Sequence, residues 1–124
     1  EGLYQGWHSP TGSVSSMRLS NVWGVSEEEV YVGDSLGNLF RWDGSRWSIV
    51  EDFSQVGRIT HITSGDDNTL FVIQSFGRVF RYQGGLWDEE HTDFWSANAI
   101  WASNARNLWG AGPVGGVIHQ CGDW

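Results

Sequence analysis

The chain is built from short stretches in which apolar and polar residues alternate, separated by turns rich in Gly, Asp and Asn. Alternation with a period of two predicts β-strands, and no stretch keeps apolar residues at helical spacing over three turns. The first four predicted strands are Leu19–Gly24, Val30–Gly33, Leu39–Trp42 and one from Trp47 to about Phe53. The next four are Ile59–Thr63, Leu70–Ile73, Arg78–Tyr82 and one from Trp87 to about Asp93. The pattern therefore predicts an all-β fold.

This four-strand pattern is a repeat. Residues 19–47 align with residues 59–87 at a constant offset of 40 without a gap, and seven of the 29 aligned positions are identical. The identities are Val32/Val72, Ser35/Ser75, Gly37/Gly77, Phe40/Phe80, Arg41/Arg81, Gly44/Gly84 and Trp47/Trp87. A third copy follows, in which Ile100–Ala102 matches Val22–Gly24. Four short strands repeated about every 40 residues are typical of β-propeller blades.

The repeat divides residues 1–124 into one propeller domain with 17–56, 57–96 and 97–124 as its blades. The third blade has only three strands, and 1–16 predicts a single outermost strand, because Tyr4–Trp7 resembles Tyr82–Trp87. Three blades cannot close a ring, since propellers typically have about 4–8. We expect a homodimer with a six-bladed ring, in which Trp7–Val14 of one chain completes the third blade of the other. The alternative is that the sequence is a segment of a longer propeller.

Charge and composition argue against several classes of function. The net charge is −8, from seven Arg, no Lys and fifteen acidic residues. This argues against nucleic-acid binding and against anionic membranes, because both depend on basic patches. No run of about 18 apolar residues is present, so we expect no membrane insertion. The single cysteine, Cys121, excludes an intrachain disulfide and occupies a turn position of the repeat.

Catalytic and metal-binding patterns are missing from the sequence. The carboxylates form no catalytic pair by spacing, and the turns Ser35–Gly37 and Ser75–Gly77 lack the Asp of sialidase-type turns. The four His residues are scattered without metal-ligand spacing. Calcium at 66–68 is disfavoured, because the loop lacks alternating oxygen ligands. We therefore expect a protein that is not an enzyme and that uses no cofactor and no metal.

The repeat resembles a known family. The residues Val22–Gly24, Val30–Gly33 and Gly37–Gly44, followed by Trp47, resemble a bacterial repeat that reads VWG, VYxVG and GxLxRWDGxxW. Repeats of this type occur in propellers of secreted or surface proteins, and they are similar to tectonin-type repeats, many of which bind sugars. The third copy departs from the pattern at Gln120–Trp124. The resemblance implies the fold directly, and it implies an extracellular, lectin-like role only as an expectation.

A ligand site is predicted on the propeller face that carries the loops between the second and third strands and the loops between blades. The repeats differ most there, and the face offers polar groups together with an aromatic side chain, as sugar binding requires. The predicted ligand-binding residues are Asp34, Asn38, Gln74, Arg78 and Trp95. A carbohydrate is the expected ligand. The alternatives are a protein-interaction propeller with an acidic docking face and a purely structural propeller.

Overall fold

The computed structural model describes residues 14–15, 17–50, 53, 57–75, 78–91, 97–112 and 115–121. These residues form strands β1 (Leu19–Ser26), β2 (Glu29–Asp34), β3 (Leu39–Trp42), β4 (Trp47–Ile49), β5 (Ile59–Ser64), β6 (Leu70–Gln74), β7 (Arg78–Gln83), β8 (Leu86–His91), β9 (Ala99–Asn104), β10 (Asn107–Ala111) and β11 (Val117–Cys121). Across these ranges there is no α-helix. The prediction of an all-β fold is confirmed.

The strands form three antiparallel sheets, in each of which consecutive strands pair. The first sheet is β1–β2–β3–β4, the second is β5–β6–β7–β8, and the third is β9–β10–β11. Within the described residues the third sheet thus has three strands, as the repeat predicts. Tight turns connect the strands, and at Gly44 the φ angle of 101° requires glycine.

The fourth strand of the first sheet is shorter than predicted. It ends at Ile49, whereas the sequence pattern extends it to about Phe53. Phe53 is buried and lies against Phe80 and Trp87 of the second sheet, with ring centroids 4.8 and 4.9 Å away. The Phe53 ring therefore belongs to the apolar cluster between the first and second sheets.

The second sheet is the middle layer of the molecule. All five residues of β6 are buried, and alternate side chains point to opposite faces of the sheet. Leu70 and Val72 belong to an apolar cluster with Tyr31 and Leu39 of the first sheet. Phe71 and Ile73 belong to a second cluster that includes Leu108 of the third sheet. The first four residues of β6 are all apolar because the strand has a core on each side.

The three sheets meet along their first strands. β1 contacts β5, and β5 contacts β9. The Ser20 hydroxyl donates to the Ile59 carbonyl at 2.8 Å, and Trp23 Nε1 donates to Ser64 Oγ at 2.8 Å. Between the second and third sheets, the Asp66 amide donates to the Ser103 carbonyl at 2.7 Å. Four-stranded meanders with their first strands side by side are compatible with successive blades of a partial propeller.

Candidate functional site

The predicted ligand-binding residue Asp34 is the centre of a turn. Its carboxylate accepts hydrogen bonds from the amides of Leu36 (3.0 Å) and Asn38 (2.9 Å), from Asn38 Nδ2 (2.8 Å) and from Ser15 Oγ (3.0 Å). Asp34 is fully buried. Burial alone would raise the pKa of Asp34, but the hydrogen bonds from Asn38, Ser15 and Leu36 outweigh it and lower the pKa below its ordinary value. Both carboxylate oxygens thus already have partners within the turn.

The other predicted residues are distributed differently. Asn38 is half-buried and contacts Asp34, as described above. Gln74 is fully buried and is the register partner of Arg78 across β6 and β7. Arg78 forms an ion pair with Glu89 of β8, and its guanidinium carbon lies 6.0 Å from the centroid of the Phe80 ring.

The structure therefore brings four of the predicted residues together in two pairs, Asp34 with Asn38 and Gln74 with Arg78. Trp95 lies outside the described residues, so a binding face made of all five stays a prediction.

A crevice on the opposite face of the molecule was missed by the sequence analysis. It lies between the first and second sheets and has a volume of about 240 Å³. Its lining residues are Glu29, Tyr31, Arg41, Val50, Tyr82 and Trp87. We call it the first crevice. Three aromatic rings, one carboxylate and one guanidinium line a space smaller than the roughly 300–1,000 Å³ of pockets for drug-sized ligands.

The polar groups of the first crevice come from neighbouring strands. Tyr31 on β2 and Arg41 on β3 are register partners, so their side chains lie next to each other on the face that meets the second sheet. The Tyr31 hydroxyl donates to Glu29 Oε2 at 2.7 Å, and Arg41 Nε lies 4.0 Å from the same oxygen. Burial raises the pKa of Tyr31 to about 12, and the Glu29 carboxylate adds to this effect. Tyr31 therefore remains a neutral donor at physiological pH.

The aromatic wall of the first crevice comes from the second sheet. Tyr82 on β7 and Trp87 on β8 are register partners, and their ring centroids are 4.7 Å apart at an interplanar angle of 46°. Trp87 is fixed from behind by Phe53 and Phe80. Tyr82 is half-buried, so part of its ring is open to the crevice. Such a wall presents apolar faces opposite the Glu29–Arg41 pair.

An adjoining cavity extends the first crevice along the same seam. It has a volume of about 250 Å³ and shares Glu29, Tyr31 and Tyr82 with the first crevice. Its outer rim is the loop 67–69 together with the turn at 83–84. Asn68 in this loop has a φ of 64° and is exposed, so an amide and neighbouring polar groups are presented at the mouth. The two cavities together form one groove with polar groups at both ends.

At the corresponding position of the seam between the second and third sheets, an arginine is bonded directly to the neighbouring sheet. Arg81, the repeat equivalent of Arg41, donates from Nη1 to the Ala105 carbonyl of the third sheet at 3.1 Å. It also donates from Nη2 to Asp88 at 3.0 Å. Phe71 stands where the first sheet has Tyr31, and it is fully buried. Equivalent positions of the repeat thus carry a tyrosine hydroxyl beside a carboxylate at one seam, and a buried phenylalanine with an arginine bonded across to the next sheet at the other.

A signal for the first crevice was present in the sequence. Glu29 and Tyr31 occupy the positions of Thr69 and Phe71 in the second copy, so these two positions change from apolar or neutral to polar or charged. In the sequence, Tyr31/Phe71 is a conservative exchange, and Glu29 ends the acidic run 27–29, which would ordinarily be solvated. Only the arrangement of the sheets shows that both side chains face a neighbouring aromatic wall.

Metal-binding and membrane-spanning features are absent from the described part of the chain. Among those residues no group of three or more His, Cys, Asp or Glu side chains is placed to hold a metal ion. The same ranges contain no helix long and apolar enough to cross a membrane.

Comparisons with known proteins add nothing to the functional argument. No family model matches the chain. No curated protein and no solved structure matches it either.

Proposed function

We propose that the chain is a partial β-propeller that acts as a binding module without enzymatic activity, and that its ligand is a carbohydrate held in the first crevice. The observation that carries the proposal is the combination of Tyr82 and Trp87 rings with the Glu29–Arg41 pair in one crevice. The repeat's resemblance to tectonin-type propellers supports the same ligand class.

A sugar presents two kinds of surface to a protein. A pyranose has apolar C–H faces that stack on aromatic rings, and hydroxyl groups that both donate and accept hydrogen bonds. In the first crevice Glu29 provides acceptors and Arg41 provides donors, and both side chains are partly exposed. Tyr82 provides an aromatic face across from them. The volume of about 240 Å³ suits a single sugar residue, and the adjoining cavity leaves room for a second.

Screening on a glycan array followed by calorimetric titration tests the proposal. The binding sugar should lose at least about tenfold in affinity with Arg41→Ala or Glu29→Gln, because hydrogen bonds to charged groups contribute about 1.5–3 kcal/mol each. Arg46→Ala is the matched control, since Arg46 is exposed in the turn before β4 and lies outside the crevice. Its affinity should stay at the level of the parent chain.

Two results would count against the proposal. Equal affinity of the parent chain and Arg41→Ala would exclude the first crevice, and loss of binding with Trp95→Ala would then favour the face predicted from the sequence. Absence of any sugar binding, together with salt-sensitive capture of a basic protein, would favour the protein-interaction alternative. The net charge of −8 is the feature that supports that alternative.

A further inference from the structure

The two outer sheets each expose an apolar face. On the third sheet, register places Ala99, Trp101, Trp109, Val117 and His119 on the face that points away from the second sheet. Trp101 is 58% exposed and Val117 is 68% exposed. The Trp109 and His119 rings are stacked with centroids 3.7 Å apart, and a cleft of about 200 Å³ lies beside Trp101 and Trp109. We call this surface the last face.

The first sheet also exposes an apolar face. Val22, Val30, Phe40, Trp42 and Trp47 lie on the side that points away from the second sheet. Val22 is 67% exposed, and the Trp42 and Trp47 rings lie 5.5 Å apart. We call this surface the first face. Large exposed apolar surfaces of this kind mark interaction sites.

The repeat relates both surfaces to contacts already formed inside the chain. The residues equivalent to the first face in the second sheet are Ile62, Leu70, Phe80, Tyr82 and Trp87, and they pack against the first sheet. The second-sheet residues equivalent to Trp109, Ala111 and Val117 of the last face are Phe71, Ile73 and Val79, and they pack against the third sheet. A last face therefore has the side-chain pattern that covers a first face at each internal seam.

We propose that the last face of one copy of this chain packs on the first face of a second copy, and that the reciprocal contact closes the pair head to tail. A single chain cannot bury the two faces against each other, because they lie on opposite outer sheets. Two equivalent contacts related by a two-fold axis leave neither face exposed, so the assembly closes at two chains. The contact between the two chains has the same arrangement as the contacts between neighbouring sheets within one chain. Those internal contacts therefore define the shape of the surface that each face meets on the other chain. This proposal is independent of the sugar site, which lies within one chain.

Size-exclusion chromatography with light scattering at micromolar concentration tests the pairing. The parent chain should have twice the 13.9 kDa mass of one chain. Val22→Glu on the first face and Trp101→Glu on the last face should each give monomers, because either change places a charge in both contacts. Val117→Glu is a second variant on the last face, and circular dichroism reports whether each variant keeps its strands. Leu86→Glu is the control, since Leu86 is 71% exposed but belongs to the middle sheet.

Mixing the two monomeric variants distinguishes this arrangement from others. Val22→Glu keeps an intact last face and Trp101→Glu keeps an intact first face, so the mixture should form a mixed pair through one unaltered contact. A monomeric parent chain would overturn the proposal. Dissociation by only one of the two variants would overturn it as well, because it would indicate a contact between identical faces. A mass that rises with concentration beyond two chains would show an open head-to-tail array and would also contradict the closed pair.

Discussion

Replacement of Asp34 by Ala should destabilise the fold far more than a comparable change in an exposed turn. Asp34 accepts four hydrogen bonds at 2.8–3.0 Å, two from backbone amides and two from side chains. A hydrogen bond contributes about 0.5–1.5 kcal/mol net. Four such bonds correspond to about 2–6 kcal/mol. We take about 3 kcal/mol as a conservative value, and it is a large part of the roughly 5–15 kcal/mol that stabilises a typical domain.

The control is Asp43→Ala in the turn between β3 and β4. Asp43 accepts hydrogen bonds from the amides of Ser45 and Arg46, both at 2.9 Å, so its role in the turn is similar. It is exposed, and water can replace the lost carboxylate there. The matched pair separates the effect of burial from the effect of the turn motif, and we expect the Asp43 variant to be much closer to the parent chain.

Urea unfolding followed by tryptophan fluorescence measures the difference. With a slope of about 1.5 kcal/mol per molar urea, a loss of about 3 kcal/mol lowers the midpoint for Asp34→Ala by about 2 M. The slope itself should not change. If Asp34→Ala unfolds at the same midpoint as Asp43→Ala, the buried turn network is not a significant source of stability. Asp34 would then be available for the ligand-binding role predicted from the sequence.

Three further outcomes are expected. Gly33→Ala should lower the free energy of unfolding by about 1–3 kcal/mol, because the new Cβ would lie 2.7–2.9 Å from atoms of the Ile59 side chain. Gly24→Ala is the control and should be nearly neutral, because its Cβ meets no atom closer than 3.8 Å. Thermal or chemical unfolding measures both. Partial desolvation would raise the pKa of the exposed Asp67, but hydrogen bonds from Ala105 and Thr69 outweigh it and lower the pKa. The stability that Asp67 contributes is therefore complete above about pH 4 and should decline as pH falls below that value in acid titrations of unfolding. Because the pKa of Tyr31 is raised to about 12, its contribution is complete below about pH 10 and is lost as the pH rises towards 12, and Tyr31→Phe should remove this alkaline transition.

The strand pattern was predictable because it depends on local alternation and turn chemistry. β2, β3, β6 and β7 lie within a residue or two of the predicted bounds, and each has apolar residues on alternating positions or on both faces. β4 was predicted to be longer because Phe53 continues the apolar pattern of its strand. The position of the Phe53 ring between two sheets depends on its contact with Phe80, and no local pattern contains that information.

The candidate site was less predictable than the fold, because function depends on which side chains face each other across a seam. Asp34 was selected as a polar residue in a variable turn, but it is buried and bonded within that turn. Glu29 ends an acidic run that would ordinarily be solvated, but it accepts a hydrogen bond from Tyr31. The two carboxylates differ in the exposure of the side chain and in the direction in which it points. Neither property can be derived from the position of a residue in the repeat.

Pairing of two chains would create a second type of crevice, and its composition follows from the repeat. The positions equivalent to Tyr31 and Arg41 in the third sheet are Trp109 and His119, which are stacked on the last face. The aromatic wall opposite them would be Trp42 and Trp47 of the other chain, equivalent to Tyr82 and Trp87. This inter-chain crevice would have aromatic rings on both sides and His119 at the position of Arg41, so its affinity for the same sugar should differ from that of the first crevice. Because it exists only in the pair, Trp101→Glu should remove it and leave the first crevice intact. Calorimetric titration of parent and variant with the same sugar would then show two sites per chain for the parent and one for the variant. Equal stoichiometry in both proteins would show that binding is confined to the seams within one chain.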